Sequence, residues 1–259
     1  MNILFIGDIV GAPGRTAVKK KLPGTVSKYS IDLVVANGEN TSSGLGLIKQ
    51  NAEELFDYGI DVITMGNHTW SKKEIFDFID HEDRIIRPGN VSTNWPGRAS
   101  TTFDVGGIKT SVINLIGRVG MQPADCPFEA ADRMIDDLKA KSKPDIIILD
   151  FHAEATSEKS ALAHFLDGRI SFFAGTHTHV QTADECILPG GTGYITDAGM
   201  TGPYESVIGM DINTSVRRFT GKLPVPYRVA DGPFVFSAVF AQIDERSGRT
   251  VRIERIREY

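Results

Sequence analysis

Cysteine is nearly absent from this chain. Of 259 residues only Cys126 and Cys186 carry thiols, and they share no C-x-x-C motif. Two such residues cannot make a disulfide framework, which excludes a disulfide-stapled scaffold and leaves two free thiols in a reducing cytoplasm as the expectation. Long apolar runs are missing as well: nothing approaches the ~18 consecutive apolar residues that a membrane-crossing helix requires. The opening MNILFIGDIV has no basic stretch, and Asp8 interrupts an apolar run too short for a signal peptide. Positive charge is not in excess. The 28 Lys and Arg stand against 33 Asp and Glu, a formal net charge of −5, so duplex DNA held mainly through its phosphates is not expected. Repeats and low-complexity segments are lacking too. These absences point to a cytoplasmic globular protein without a membrane partner.

Short apolar runs are present, and they alternate with helix-like segments. Residues 2–6 (NILFI), 33–36 (LVVA), 62–65 (VITM), 146–150 (IIILD) and 170–174 (ISFFA) predict strands. Each is short, continuous and rich in β-branched or aromatic residues, as strands covered on both faces should be. Helices are expected near 15–29, 48–58, 72–79, 129–141 and 158–166. Ser71 and Ser157 are candidate N-caps, with Glu74 completing a capping box for Ser71. Alternation of this kind is the signature of an α/β architecture. Residues 101–105 and 108–115 flank Gly106-Gly107 and predict a hairpin, and 233–243 with 249–256 predict a second antiparallel pair. Added to a βα core, these suggest two sheets packed face to face with helices outside. Residues 84–100 and 199–232, rich in Gly, Pro and Arg, read as long surface loops. No linker composition divides the chain, so residues 1–259 are expected to form one domain.

The informative residues are polar ones at strand ends. Asp8 follows ILFIG, Glu39-Asn40 follow LVVANG, Asn67-His68 follow VITMG, His152 follows IIILDF, and His177 and His179 follow ISFFAGT. In open α/β sheets ligands bind at the carboxyl ends of the strands. Four of the six histidines occupy such places, while His81 and His164 fall in or beside helix-like segments. Carboxylates, amides and imidazoles without cysteine form an oxygen and nitrogen donor set suited to Mn, Fe or Zn rather than Cu(I) or an iron–sulfur cluster. A single ion rarely needs so many ligands, so two ions sharing a carboxylate are the more natural expectation. Two divalent ions, two carboxylates and one hydroxide would leave a single positive charge, matching a phosphodiester monoanion. Paired ions about 3.5–4 Å apart clamp the attacking and leaving oxygens of an in-line displacement.

The blocks GDIVG (7–11), GEN (38–40), GNHTW (66–70), DFHAE (150–154) and GTHTHVQTAD (175–184) resemble the calcineurin-like metallophosphoesterases, and more closely their YmdB-like branch. The resemblance implies a four-layer α/β/β/α sandwich of two mixed sheets flanked by helices, and a dinuclear site hydrolysing 2′,3′-cyclic nucleotides by attack of a metal-bridging hydroxide. It implies that Asp8, Glu39, Asn40 and His179 hold one ion and that Glu39 (bridging), Asn67, His152 and His177 hold the other, with His68 as proton donor to the leaving ribose oxygen. Two departures from the broad superfamily stand out: Val10 occupies the position of the usual DxH histidine, and the bridging residue is Glu39 rather than Asp. Asn40 can supply an oxygen in place of the missing imidazole. The harder first site favours iron, with manganese next and zinc third. The expected substrate partner is a small nucleotide or an RNA-end phosphodiester, and self-association into a homo-oligomer is left open.

Rival readings are weaker. GDIVGAPGRT fails the P-loop pattern, because Arg15 stands where Lys is required and Ile9 where the first Gly should be. Lys19–Lys21 reads as a solvated helix face. Trp70, Arg118 and Tyr204 are candidates to stack on a base or touch phosphate, against ordinary packing. Two functional alternatives are a broader phosphodiesterase or phosphomonoesterase acting on RNA ends or cyclic dinucleotides, and a metal-stabilised regulatory binding protein with little turnover.

Overall fold

In β1 (Asn2–Ile6) the side chains alternate between two different cores: Ile3 and Phe5 face one apolar cluster, Leu4 and Ile6 another. This period of two, with both faces apolar, makes an interior strand of a layered protein. The computed structural model describes residues 1–221, 224–226 and 228–259. After β1 come β2 (Asp8–Ile9), α1 (Gly11–Tyr29), β3 (Leu33–Asn37), α2 (Lys49–Asp57), β4 (Val62–Thr64), β5 (Ile85–Ile86), β6 (Ser100–Val105), β7 (Ile108–Ile116), α3 (Pro127–Lys141) and β8 (Ile146–His152). They are followed by α4 (Thr156–Leu166), β9 (Phe172–Thr176), β10 (Cys186–Ile187), β11 (Gly193–Ile195), β12 (Met200–Pro203), α5 (Ile212–Gly221), β13 (Phe234–Asp244) and β14 (Arg249–Glu258).

The strands form two mixed sheets. One runs β2-β12-β13-β1-β3-β4-β5 with β14 also on β13, and the other runs β10-β11-β9-β8-β7-β6. Within the first, β1, β3, β4 and β5 are parallel. Within the second, β7, β8, β9 and β11 are parallel. The apolar clusters define the layers. Ala17, Val18 and Leu22 of α1 and Leu55 of α2 cover the outer face of the first sheet. Ala131 and Ile135 of α3 and Leu162 and Leu166 of α4 cover the outer face of the second. Between the sheets, Phe5, Val35 and Val239 meet Val112, Ile148 and Phe172. Phe5 and Phe172 touch edge to face across that seam, with centroids 6.2 Å apart at 72°, a contact contributing about 0.5–1.5 kcal/mol beyond area burial. The expected α/β/β/α sandwich is what forms. Among the described residues no helix is long and apolar enough to cross a membrane.

Several local expectations are corrected. The segment expected as a helix over 72–79 is a 3-10 turn, Lys73–Asp77. Glu74 does not close a capping box on Ser71; its Oε1 instead accepts the Lys49 N–H at 2.9 Å, capping the start of α2. Ser157 lies inside α4, whose N-cap is Ala155. The strand expected over 170–174 is shifted to Phe172–Thr176 by its register with β8, where Ile148 faces Phe172. Both long loops also contain structure: β12 and α5 lie within 199–232, and Ile86 and Arg98 form a parallel bridge across the first loop.

Candidate metal centre

The sandwich brings the carboxyl ends of parallel strands from both sheets to one edge. Asp8 stands at the start of β2, directly after β1. Glu39 and Asn40 follow β3, and Asn67 and His68 follow β4. From the second sheet, His152 is the last residue of β8, and His177 and His179 follow β9. His81 and His164 lie elsewhere, in a 3-10 turn and in α4.

His152 is the hub. Its Nε2 lies 3.0 Å from Glu39 Oε1, 2.9 Å from Asn67 Oδ1 and 3.0 Å from His177 Nδ1. One ring nitrogen carries at most one proton and one direction, so it cannot hydrogen-bond to all of these partners. The spacing is that of neighbouring ligands around one ion at about 2.0–2.2 Å. Among the described residues, Glu39, His152 and His177 meet the geometry of a potential ion site, with donor atoms within 4.8 Å of one another. The opposite ring edge is locked. Thr176 Oγ1 donates to Asp150 Oδ1 at 2.7 Å, which leaves it to accept from His152 Nδ1 at 2.9 Å. That places the Nδ1 proton and frees the Nε2 lone pair for a ligand role. Asn37 Nδ2 and Thr64 Oγ1 both donate to Asp150 Oδ2.

A second group adjoins the first. His179 Nε2 lies 3.3 Å from Asn40 Oδ1 and 3.7 Å from Asp8 Oδ1. The Ile208 carbonyl lies 2.8 Å from His179 Nδ1 and accepts its proton, turning the other nitrogen inward. Asn40 donates its amide to Gly44 O at 3.0 Å, so its oxygen is the atom left facing His179. Asp8 Oδ2 accepts the His177 N–H at 3.1 Å, whereas Asp8 Oδ1 is buried without any hydrogen-bond partner. An orphaned carboxylate oxygen in the interior is costly. A cation would satisfy it, and the donor chemistry fits a pair of divalent ions.

Charge in the metal-free cluster follows from burial and proximity. Burial opposes ionisation of Glu39, but His152 and the His68 N–H, which donates to Oε2 at 2.8 Å, outweigh it and hold the carboxyl at about 2. Burial likewise opposes charge on His152, and Glu39 overcomes it, raising the imidazole to about 9. His177 is pushed down to about 3 by burial and by the charge on His152. Burial raises Asp8, and it raises Asp150 to about 6.

The backbone is special here. His177 and His179 have φ of 98° and 66°, so they lie past the strand in left-handed conformations rather than on one face of a regular strand. Strain of this kind persists where the surroundings over-determine it. The restraint is Asp197, whose Oδ2 accepts from Thr178 N and Oγ1 and from the Lys159 ammonium at 2.7 Å, with both members of the ion pair fully buried. Gly66 is required for a different reason: a Cβ there would lie 2.4 Å from the His152 ring and 2.5 Å from Glu39 Oε2.

Sequence reasoning missed Asp150, Thr176, Asp197 and Lys159. The first two stand inside the DFHAE and GTHTH blocks and were within reach of a reading that asked what orients each histidine. Lys159 was not, because a lysine in an amphipathic helix reads as solvated. His68 has its ring beside Ser71 Oγ (3.4 Å from Nδ1) and outside both donor groups. Trp70 packs in an aromatic cluster, stacked on Phe76 at 5.2 Å and edge-on to Trp95 at 5.6 Å. Tyr204 rests on Tyr259 at 4.8 Å, and the Arg118 N–H donates to Glu158. Lys20 lies over the Phe234 ring and Lys21 donates to Tyr259 O, so the lysine run tacks α1 onto the C-terminal strands.

Residues 4–256 match the family described as YmdB-like protein. The chain is 50% identical over 256 residues to the 2′,3′-cyclic-nucleotide 2′-phosphodiesterase of Bacillus subtilis strain 168, covering 99% of this chain and 96% of the relative. Among solved structures, a hypothetical protein of Thermus thermophilus superposes with a TM-score of 0.93 at 42% identity, covering 100% of this chain and 99% of the other. A protein from Mycoplasma pneumoniae described as a novel phosphatase gives the same TM-score, 0.93, at 36% identity, covering 100% and 93%.

Proposed function

This chain belongs to the YmdB-like family, and we propose that it is a dinuclear metal-dependent phosphodiesterase hydrolysing 2′,3′-cyclic nucleotides. The observation that carries the reading is the paired donor cluster, in a chain half identical to a 2′,3′-cyclic-nucleotide 2′-phosphodiesterase over nearly its whole length. Asp8, Glu39, Asn40 and His179 would hold one ion, and Glu39, Asn67, His152 and His177 the other, with Glu39 bridging. The crowding at His152 Nε2 and the orphaned Asp8 Oδ1 support this division. Iron is the favoured metal and manganese the next, on the hard character of a site with Asn40 in place of an imidazole. When bound, the ions would supply a water nucleophile at neutral pH and neutralise phosphoryl charge.

The protein's own residues do the rest. Glu39 and Asp8, both buried, would offset part of the charge of two divalent ions and leave a net positive site for a diester monoanion. Asp150 and Thr176 hold the His152 ring in one tautomer, and Asp197 holds the strained turn bearing His177 and His179. His68 stands next to Asn67 without belonging to either donor group, and its backbone N–H anchors Glu39. In this reading its imidazole would give a proton to the departing ribose 2′ oxygen, a poor leaving group as a bare alkoxide. The product is then the nucleoside 3′-phosphate.

A kinetic panel of 2′,3′-cyclic, 3′,5′-cyclic, monoester and dinucleotide substrates on metal-loaded protein tests the reading. The 2′,3′-cyclic substrates should have the highest kcat/KM. A higher value for monoesters or 3′,5′-cyclic nucleotides overturns the substrate assignment, and no turnover of any of them favours a regulatory binding protein.

A further inference from the structure

The three histidines of the donor cluster do not present the same ring atom. His152 and His179 turn Nε2 toward the cluster and give Nδ1 to a partner behind the ring, Thr176 Oγ1 at 2.9 Å and the Ile208 carbonyl at 2.8 Å. His177 is reversed. Its Nδ1 lies 3.0 Å from His152 Nε2, inside the cluster, and its Nε2 lies 3.3 Å from Glu154 Oε2. Among the described residues, Glu154 is the only acceptor paired with that Nε2.

Strand register brings the two side chains together. β8 and β9 run parallel with His152 opposite Thr176, and the Ala153 N–H donates to Thr176 O at 3.4 Å. One residue past that last rung, Glu154 and His177 leave the sheet side by side. The backbone of His177 is fixed without Glu154: its N–H donates to Asp8 Oδ2 at 3.1 Å, and Asp197 holds the neighbouring Thr178. Rotation of the imidazole is what remains to be set, and Glu154 faces its outer edge. The Glu154 stem is confined in turn by the loop after β7, since a Cβ on Gly120 would lie 3.3 Å from Glu154 Cγ. Its carboxylate has no other partner among the described residues and is half-exposed.

We propose that Glu154 is a positioning residue for His177: its carboxylate accepts the Nε2 proton and holds the ring with Nδ1 facing the ion of the His152 half. The inference rests on His177 being a ligand, as proposed above, and adds the group that orients it. A ligating imidazole gives its second N–H to an acceptor that sets the tautomer and the ring plane. Thr176 and Ile208 supply neutral acceptors for two of the rings. Glu154 supplies the third with a charged oxygen, the stronger kind of acceptor. Because water reaches this carboxylate, its effect belongs at the low end of the roughly 10–100-fold in metal affinity typical of such partners.

The test uses the full chain, zinc-loaded for spectroscopy and manganese-loaded for affinity, with the variants Glu154→Ala and Glu154→Gln. Glutamine keeps an oxygen acceptor and removes the charge. His177→Gly serves as the reference, since it deletes the imidazole and tolerates the φ of 98°. In nitrogen NMR of zinc-loaded wild-type protein carrying isotopically labelled histidine, the signal lost in His177→Gly should have its proton on Nε2. That proton should exchange with water faster in Glu154→Ala and at the wild-type rate in Glu154→Gln. Against buffered free manganese, Glu154→Ala should need about tenfold more metal to fill one site and no more to fill the other. Glu154→Gln should recover most of that loss. A His177 proton on Nδ1, unchanged manganese binding in Glu154→Ala, equal weakening at both sites, or Glu154→Gln no better than Glu154→Ala overturns the positioning role. Filling of both sites at wild-type affinity in His177→Gly instead refutes the ligand assignment on which the role rests.

Discussion

The two halves of the donor cluster are built differently. Around His152 every partner is backed by another: Thr176, Asp150, Asn37 and Thr64 form a buried chain of hydrogen bonds behind the ring. The His179 ring is held by the Ile208 carbonyl, from a loop beyond β12, and Asp8 Oδ1 has no hydrogen-bond partner among the described residues. The first half is pre-organised by the fold. The second keeps an unsatisfied oxygen, so an ion there contributes more of the local order. The expected consequence is tighter metal binding in the His152 half, because pre-organised ligands lose less freedom on binding.

Glu39→Gln attacks the carboxylate proposed to bridge the halves and should have the largest effect. Elemental analysis after loading should show both ions reduced, with near-complete loss of diester hydrolysis; wild-type content at both sites would move the bridging role elsewhere. His68→Ala touches neither half. It should keep both ions yet lose about 10²–10⁴-fold in turnover of cyclic nucleotides, and lose much less on a nitrophenyl diester, whose leaving group is already a stable anion. Equal losses on the two substrates would make His68 an orienting residue.

Lys159→Met removes one member of the buried pair that holds the 177–179 turn. Stranding Asp197 should cost about 3–5 kcal/mol of stability, readable as a lower denaturant midpoint, and both ions should bind less tightly because the turn serves each half. Stability within a few tenths of wild type would mean that Asp197 is satisfied by other means. Thr176→Val is the mildest and most selective change. It should weaken one ion by about 10–100-fold and leave the other nearly unaffected, as titration of metal-free protein would reveal. Equal weakening of both ions would erase the distinction between the halves.

Much of this centre was legible because chemistry and position coincided. Asp8, Glu39, Asn67, His152 and His177 each follow an apolar run that could only be a covered strand, and the parallel sheets carry such ends to one edge. Elements were misread where local pattern competes with tertiary contact. Ser71 and Glu74 have capping-box spacing, yet Glu74 is drawn to the Lys49 N–H at the start of α2. The strand ending at Thr176 does not begin where its apolar run begins, because its bounds come from pairing with β8. Helix α5 went unseen among neighbouring glycines and prolines, and its Val216 and Phe219 remain exposed.

Sequence alone determined the layers and the donor types. Alternating apolar faces require cores on both sides of each sheet, and oxygen and imidazole donors without thiolate restrict the metal chemistry. Only the tertiary structure decided how those donors are held. The left-handed turn at His177 and His179, the fully buried Lys159, and the role of Glu74 at a distant helix depend on contacts between residues far apart in the chain. Burial and hydrogen-bond satisfaction are properties of the packed molecule, and no local periodicity encodes them.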